Sequence, residues 1–390
     1  MVTKVTVNYE ALARAYILEC PATPLSHIQA SAEYLANYER PYQVSAYVTR
    51  ACNLSCIHCY ISAGRSLENE LTADEWSQAF VQLRKLGTEQ LYILGGEPMM
   101  RPDIYQIISS ASEAGLRVSM STNGTLITRR SASMLKESGL NEAQVSIDAP
   151  IRELNDSIRV PGSFERALSA VRYLKEVGLR VTIGVVLLNL NADLVEDMVR
   201  LAKELGADGI TFEAVAPFGR AASNRLRLDP GRAWDVIKTV SKYGSFVSLS
   251  SMRFYIPNLL GAYEAAKKAL GPLASKYRTC PAGRSRLVID SNGDVYGCEL
   301  FIGLRAPEGN LRRTPLREIW ERGFSLLRLR RPSGACSTCP MFDMCWGGCP
   351  ARSLALTGSI NNPDPLCPLA SKAPVKDQGR DGSVNIITRQ

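Results

Sequence analysis

Ten of the eleven cysteines in this 390-residue chain fall into two groups. Cys52, Cys56 and Cys59 lie early; Cys280, Cys298, Cys336, Cys339, Cys345, Cys349 and Cys367 crowd the end, with none between residues 60 and 279. Thiolates are soft anionic metal ligands, and a chain with only 2 histidines offers little for mixed Cys/His zinc sites. The first group has the spacing C-x3-C-x2-C, in CNLSCIHCY. Three thiolates are one short of filling a tetrahedral zinc or a cubane iron–sulfur cluster, so one metal position is left for something else, and an open position marks a catalytic metal. The plain alternative is a zinc loop completed by His58 or by a distant thiol. In the second group C-x2-C-x5-C-x3-C, at Cys336, Cys339, Cys345 and Cys349, follows Cys280 and Cys298 and precedes Cys367. A pair of zinc ribbons is the alternative there, although seven is an odd number for sites that take four ligands each. Cys20, alone in an apolar helical stretch, reads as a buried small hydrophobe.

The elements that position these thiols show in the periodicity. From Val44 to about Ala216 short β-branched runs alternate with helical segments, the pattern of βα repeats building a parallel sheet. Strands are expected at 44–49, 91–95, 116–121, 143–148, 179–187 and 209–216, with amphipathic helices near 73–86, 102–114, 129–138, 164–177 and 192–205. Thr72 and Glu75 spell a capping box, and Gly87, Gly115, Gly139, Gly178 and Gly206 each follow a helix as a C-cap would. Six βα units are too few to close an eight-stranded barrel, so the expected fold class is α/β: a partial, open TIM-like barrel followed by a cysteine-rich C-terminal domain. The expected organisation is an N-terminal extension (1–43), the partial barrel (44–216), a helical connector (217–279) with a clear helix at 258–271, the cysteine-rich domain (280–369) and a tail (370–390). Within the fourth of these, RLVIDSNGDVYGCEL signals a hairpin turning at Asn292 and Gly293. Folds of this class keep their chemistry at the C-terminal ends of the strands, where the first thiol group falls.

Composition narrows the class. With 45% hydrophobic and 22% charged residues the chain can bury a large core, and a net charge of +8 is too mild to name a nucleic-acid partner. No run approaches the ~20 apolar residues of a membrane span, and the first residues carry charges where a signal peptide has its apolar core. A cytoplasmic protein with no membrane partner is expected, and there thiols stay reduced. Residues 301–335 hold eight Arg against three acids, read as a solvated helix face rather than a docking patch.

With GGEP at 95–98 after the second strand, STN at 121–123 and SID at 146–148 ending the third and fourth, and NDSIRVPGSF beyond, the CNLSCIHCY segment resembles the radical S-adenosylmethionine superfamily over about Val44 to Ala216. The resemblance implies a 4Fe-4S cluster on Cys52, Cys56 and Cys59 whose unique iron is chelated by S-adenosylmethionine, which is cleaved reductively to methionine and a 5′-deoxyadenosyl radical. It implies that Gly95, Gly96, Glu97 and Pro98 receive the cofactor's amino group. It implies too that Ser121, Thr122, Asn123, Ser146, Asp148 and Arg159 take its ribose and methionyl carboxylate, and that His58, at a position usually aromatic, lies near the adenine. Taken singly, each of these is also an ordinary cap or turn residue. Ala149 departs from the Gly that relatives usually carry after the Asp.

The second group resembles the SPASM extension of that superfamily, and GACSTC, CWGGCPA and NPDPLC bring it nearest the mycofactocin and pyrroloquinoline quinone peptide maturases. The resemblance implies two auxiliary 4Fe-4S clusters: an outer one on Cys336, Cys339, Cys345 and Cys367, and an inner one on Cys280, Cys298 and Cys349. Since residues 281–297 contain no cysteine, the inner cluster keeps an open iron or takes a ligand of another type. It further implies an oxidoreductase that modifies a ribosomally made precursor peptide, by decarboxylation and crosslinking, with the auxiliary clusters removing the second electron and a ferredoxin or flavodoxin as donor. Only 51 residues precede Cys52, so a peptide-recognition protein would be separate. Tetrapyrrole side-chain chemistry and sulfatase-type protein maturation share the architecture, and a zinc-ribbon binding module is the non-enzymatic rival. No argument selects a general base among Tyr296, Glu213 and Asp294.

Overall fold

The computed structural model describes residues 40–223, 226–250, 280–339, 342–365 and 367. Cys20, most of the N-terminal extension, the helix expected at 258–271 and the tail lie outside the described residues. One sheet organises the rest. Its strands are β1 (Gln43–Tyr47), β2 (Gln90–Leu94), β3 (Arg117–Thr122), β4 (Glu142–Ser146), β5 (Arg180–Leu187), β6 (Gly209–Ala214), β7 (Val247–Ser250), β8 (Arg286–Ile289), β9 (Asp294–Tyr296) and β10 (Gly309–Asn310). They lie in the order β10-β9-β8-β1-β2-β3-β4-β5-β6-β7. The six expected strands form its centre, all parallel.

Both edges run further than periodicity indicates. β7 adds in parallel to β6, and β8 adds in parallel to the free side of β1, Gln43 opposite Arg286 and Ala46 opposite Ile289. β8 and β9 are the expected hairpin, closed by a turn in which the Gly293 N–H donates to the Asp290 carbonyl, with Gly293 left-handed at φ 87°. The cysteine-rich segment is therefore hydrogen-bonded into the barrel sheet. The barrel stays open, since β7 and β10 end the sheet without meeting.

Helices Ala73–Lys85, Ile104–Glu113, Arg129–Glu137, Ser163–Glu176 and Val195–Glu204 cover one face, with Arg152–Ile158 as an addition between β4 and β5. The first starts where its capping box says, Thr72 accepting from the Glu75 N–H while Glu75 accepts from that of Thr72. Its buried stripe of Trp76, Ala79, Phe80 and Leu83 meets Leu91 and Ile93 of β2 and Ile107 and Ile108 of the next helix in one continuous core. Each large apolar side chain so buried is worth about 1.5–3 kcal/mol. Alternation leaves Tyr92 and Leu94 of β2 on the opposite, half-buried face, and that face, with the strand C-termini, is where polar residues collect.

Candidate active site

β1 delivers the chain into the three-thiol loop. The loop is folded on itself, the Cys52 N–H donating to the Gly64 carbonyl at 2.9 Å and that of Gly64 to Arg50 at 3.1 Å. It is clamped from the far side of the barrel: Arg220, after β6, donates Nε to the Cys56 carbonyl (2.8 Å) and Nη1 to that of Ala63 (2.9 Å). Gly219 before it is left-handed (φ 54°), and a Cβ there would stand 2.5 Å from the carbonyl oxygens of Cys59 and Tyr60. Sequence reasoning missed this clamp because nothing local marks a distant arginine as the partner of a thiol loop. Burial pushes the Cys52 thiol up to about 11, with Glu97, Cys56 and Cys59 adding to it, and burial also raises Cys56, against the pull of Arg159.

The ends of β2 and β3 lean on this loop. Gly96 donates to the Thr49 carbonyl and Glu97 to that of Ala51, both at 2.8 Å, and a Cβ on Gly96 would lie 2.1 Å from the Ala51 oxygen. The glycine is required by close backbone approach. Glu97 is fully buried; its carboxylate accepts from Thr122 Oγ1 (2.7 Å), the Asn123 N–H (2.7 Å) and the Met99 N–H (3.1 Å). Burial raises its pKa against these donors. Three of roughly four acceptor positions are thus taken by the protein, leaving little more than one, beside the turn carbonyls, for an amino group. Pro98 opens the short 98–100 turn behind it. Asn123 Nδ2 reaches Asn53 Oδ1 at 2.9 Å, tying STN to the middle of the thiol loop. Ser121 pairs with Gln144 in the β3–β4 register, which puts Ser121, Gln144 and Ser146 on one face.

Asp148, just past β4, is the electrostatic centre. Its Oδ2 lies 2.7 Å from His58 Nε2 and 2.8 Å from Arg159 Nε, and its Oδ1 accepts from the Val186 N–H at 2.8 Å. Burial favours its neutral form, but Arg159 and His58 outweigh this and hold the carboxyl well below the usual range. Arg159 Nη1 in turn is 4.0 Å from Cys56 Sγ. His58, Asp148 and Arg159 therefore meet, as a network in which protein partners take three of the carboxylate's roughly four acceptor positions.

The seven C-terminal thiols divide by their influence on one another. Cys280, pushed up to about 11 by burial, also feels Cys349, and Cys298, pushed well above its usual range by burial, feels Cys349 and Cys280. Separately, burial first and then Cys367 and Cys339 raise Cys336 to about 11; burial, then Cys367 and Cys336, raise Cys345 to about 12. None of the ten described cysteines is in a disulfide. Among the described residues no three His, Cys, Asp or Glu side chains are gathered as one metal ion would gather them. Sets of three, three and four thiols, none of them exposed, are a donor chemistry that fits iron–sulfur clusters.

Arginines hold this region together. Arg352 and Asp364 pair at 2.6 Å with side chains 2% exposed, and Asp364 Oδ2 also accepts from the Cys349 N–H. Gly347 and Gly348 are left-handed and tight: a Cβ would meet Pro332 at 2.7 Å and Asp364 at 2.4 Å. The arginine-rich stretch departs from the solvated face expected of it. Arg317 and Arg322 are exposed beside Glu321 and Glu318, but Arg312 crosses to Glu75 of the first barrel helix and Arg328 packs over Trp320.

Between the first thiol loop and the inner set runs a polar bridge. The Tyr47 and Tyr60 hydroxyls touch, Glu299 Oε2 lies 3.3 Å from Cys298 Sγ, and Arg286 joins Glu299 Oε1 (2.9 Å) to Ser45 (3.1 Å). Glu299, unnoticed in sequence because it follows a cysteine in an unremarkable ELF, lies on this bridge, whereas Asp294's carboxylate is engaged by Asn292 and Asn310 in the hairpin turn.

The profile of the Radical SAM superfamily matches residues 46–202, and that of an iron–sulfur cluster-binding domain, SPASM, matches 280–340. The AdoMet-dependent heme synthase of Oleidesulfovibrio alaskensis is 31% identical over 82% of this chain and 85% of its own. The mycofactocin maturase MftC of Mycolicibacterium smegmatis is 30% identical over 91% of each. Among solved structures, Streptococcus suis SuiB bound to its precursor peptide SuiA superposes with a TM-score of 0.73 at 19% identity, covering 88% of this chain and 80% of that one. Among the described residues no helix is long and apolar enough to cross a membrane.

Proposed function

The chain belongs to the radical S-adenosylmethionine superfamily and carries its SPASM iron–sulfur domain, and from that premise we propose that it is a peptide maturase, oxidatively modifying a ribosomally made precursor in the manner of the mycofactocin enzymes. In this reading Cys52, Cys56 and Cys59 hold the cluster that S-adenosylmethionine completes. Cys336, Cys339, Cys345 and Cys367 hold an outer auxiliary cluster, and Cys280, Cys298 and Cys349 an inner one. When bound, the first cluster and its cofactor supply one electron and a carbon radical able to take hydrogen from an unactivated position.

The chain's own residues do the rest. The carbonyls of the Gly95–Glu97 turn and the remaining acceptor position of Glu97 receive the cofactor's amino group, while Thr122 and Asn123 fix that carboxylate. Arg159, held by Asp148, offers its guanidinium edge to the methionyl carboxylate, and Ser121 and Ser146 offer hydroxyls to that carboxylate and to the ribose. Asp148, with three of roughly four acceptor positions taken, acts on the ribose chiefly through its neighbours. His58 walls the adenine side. Glu299 takes a proton between the two metal regions, and the tyrosine pair, whose hydroxyls stay protonated, relays one.

The observation that supports the reading is the attachment of the seven-thiol segment to β1, the strand that leads into the loop of the first three thiols: β8 pairs with β1, and Arg286 joins Ser45 of β1 to Glu299, whose Oε2 lies 3.3 Å from Cys298 Sγ. Anaerobic reconstitution should give about twelve irons per chain and deoxyadenosine under reductant; about four irons with no deoxyadenosine sinks it. A mass change in a co-expressed peptide ending in Val-Tyr supports the peptide substrate. The heme synthase relatives, equally similar, favour a second reading in which a tetrapyrrole is modified. A visible-band shift on adding such a macrocycle, with no change in any peptide, decides for that one. A separate recognition protein and a ferredoxin or flavodoxin donor complete the proposed partners.

A further inference from the structure

Arg330 is 4% exposed, yet its guanidinium meets neutral oxygens. Nε donates to the Ile360 carbonyl (2.6 Å), Nη1 to those of Trp346 and Gly348 (both 2.9 Å), and Nη2 to those of Gly347 (3.0 Å) and Asn362 (3.2 Å) and to Ser353 Oγ (3.5 Å). Among the described residues no carboxylate pairs with it, and Asp364, whose charge reaches it, is bound to Arg352. A buried cation without an anion is strongly unfavourable, and hydrogen bonds to carbonyls satisfy its donors without neutralising its charge. Trp346, Gly347 and Gly348 are the residues between Cys345 of the outer set and Cys349 of the inner, so the guanidinium is seated on the segment that joins them. The charges that act on it most, after its burial, are Cys280 and Cys349 of the inner set, with Cys336 of the outer set also contributing.

We propose that Arg330 is the shared counter-cation of the two auxiliary clusters, positioned between them and holding both reduction potentials up. The inference rests on the assignment of those thiols to clusters. A fixed positive charge stabilises the reduced, more negative form of any cluster near it, so its removal lowers the potential. The first cluster, outside this segment, is the internal control.

The experiment is a redox titration followed by electron paramagnetic resonance on reconstituted wild type, Arg330→Gln and Arg330→Lys. The expected result is a shift of both auxiliary midpoint potentials to more negative values in R330Q, little shift in R330K and none for the first cluster in either. A fully loaded R330Q with unmoved potentials overturns the proposal. If R330Q cannot be loaded, iron content of R330K decides: iron retained with lysine supports a role for the charge, whereas equal loss in both variants makes Arg330 a carbonyl staple only and overturns it. Wild type that takes up no auxiliary iron refutes the cluster assignment instead, a result distinct from either.

Discussion

The three-thiol loop and the seven-thiol region both gather thiols away from water, but from opposite starting points. The first hangs from a parallel sheet, and its anchors come from separate elements: the Gly95–Glu97 turn after β2, Asn123 after β3, Asp148 after β4 and Arg220 after β6. Among the described residues the second has the short helices 325–328, 334–336, 342–345 and 350–357 around its densest thiols, and a few buried side chains, Arg330, Arg352 and Asp364, gather its carbonyls and turns. A sheet distributes a loss over many anchors. Irregular chain concentrates it, so in the second region buried charge pairing is part of the fold.

The largest effects separate the regions functionally. Cys56→Ser should drop deoxyadenosine formation below detection while leaving about eight of about twelve irons, whereas Cys345→Ser should lose auxiliary iron and keep cleavage; iron assay and product analysis read both. Next in size, Asp364→Ala strands Arg352 in the interior and should cost about 3–5 kcal/mol in denaturant unfolding. Asp148→Ala should cost a similar amount, but D364A should strip auxiliary iron alone and D148A should weaken cofactor binding alone. Reversal of either pattern would erase the contrast between the regions. Smaller still, Gly96→Ala forces a Cβ against the Ala51 carbonyl and should cost about 1–3 kcal/mol, with weaker S-adenosylmethionine binding by calorimetry.

The smallest concerns the seam between the regions. Arg312 holds the Glu75 carboxyl down at about 2, against some desolvation. A depressed carboxyl contributes stability that is present above its unfolded pKa of about 4.3 and lost as pH falls towards the folded value. Both side chains are about one-third exposed, and screening reduces the contribution to about 1 kcal/mol or less. Melting temperatures of metal-free Glu75→Gln should therefore fall less steeply than wild type between about pH 4 and 2.

What could be read beforehand follows the same division. The six central strands and five of the helices announced themselves through alternation and glycine caps, because their stabilising contacts repeat at fixed local spacing. β8 against β1 did not, since parallel pairing at long separation leaves no local mark. The strand-end residues were identifiable as a group, but not that Asp148 and Glu97 would each have three of roughly four acceptor positions taken by their own protein: a carboxylate's partners are chosen in three dimensions. Arg312, Arg328 and Arg330 read as a solvated run because sequence shows a charge but not the carbonyls, rings or acids that await it.

β1 carries the first metal loop, and one of its two edges is completed by a strand whose Arg286 sits 241 residues after Ser45. At ribosomal rates that interval is on the order of 10–50 s, during which the β1 edge has no partner from its own chain. An unpaired edge of that kind is open to pairing with another chain, and closing so long a loop is slow. That edge of β1 is therefore closed only after the β8–β9 hairpin has been made.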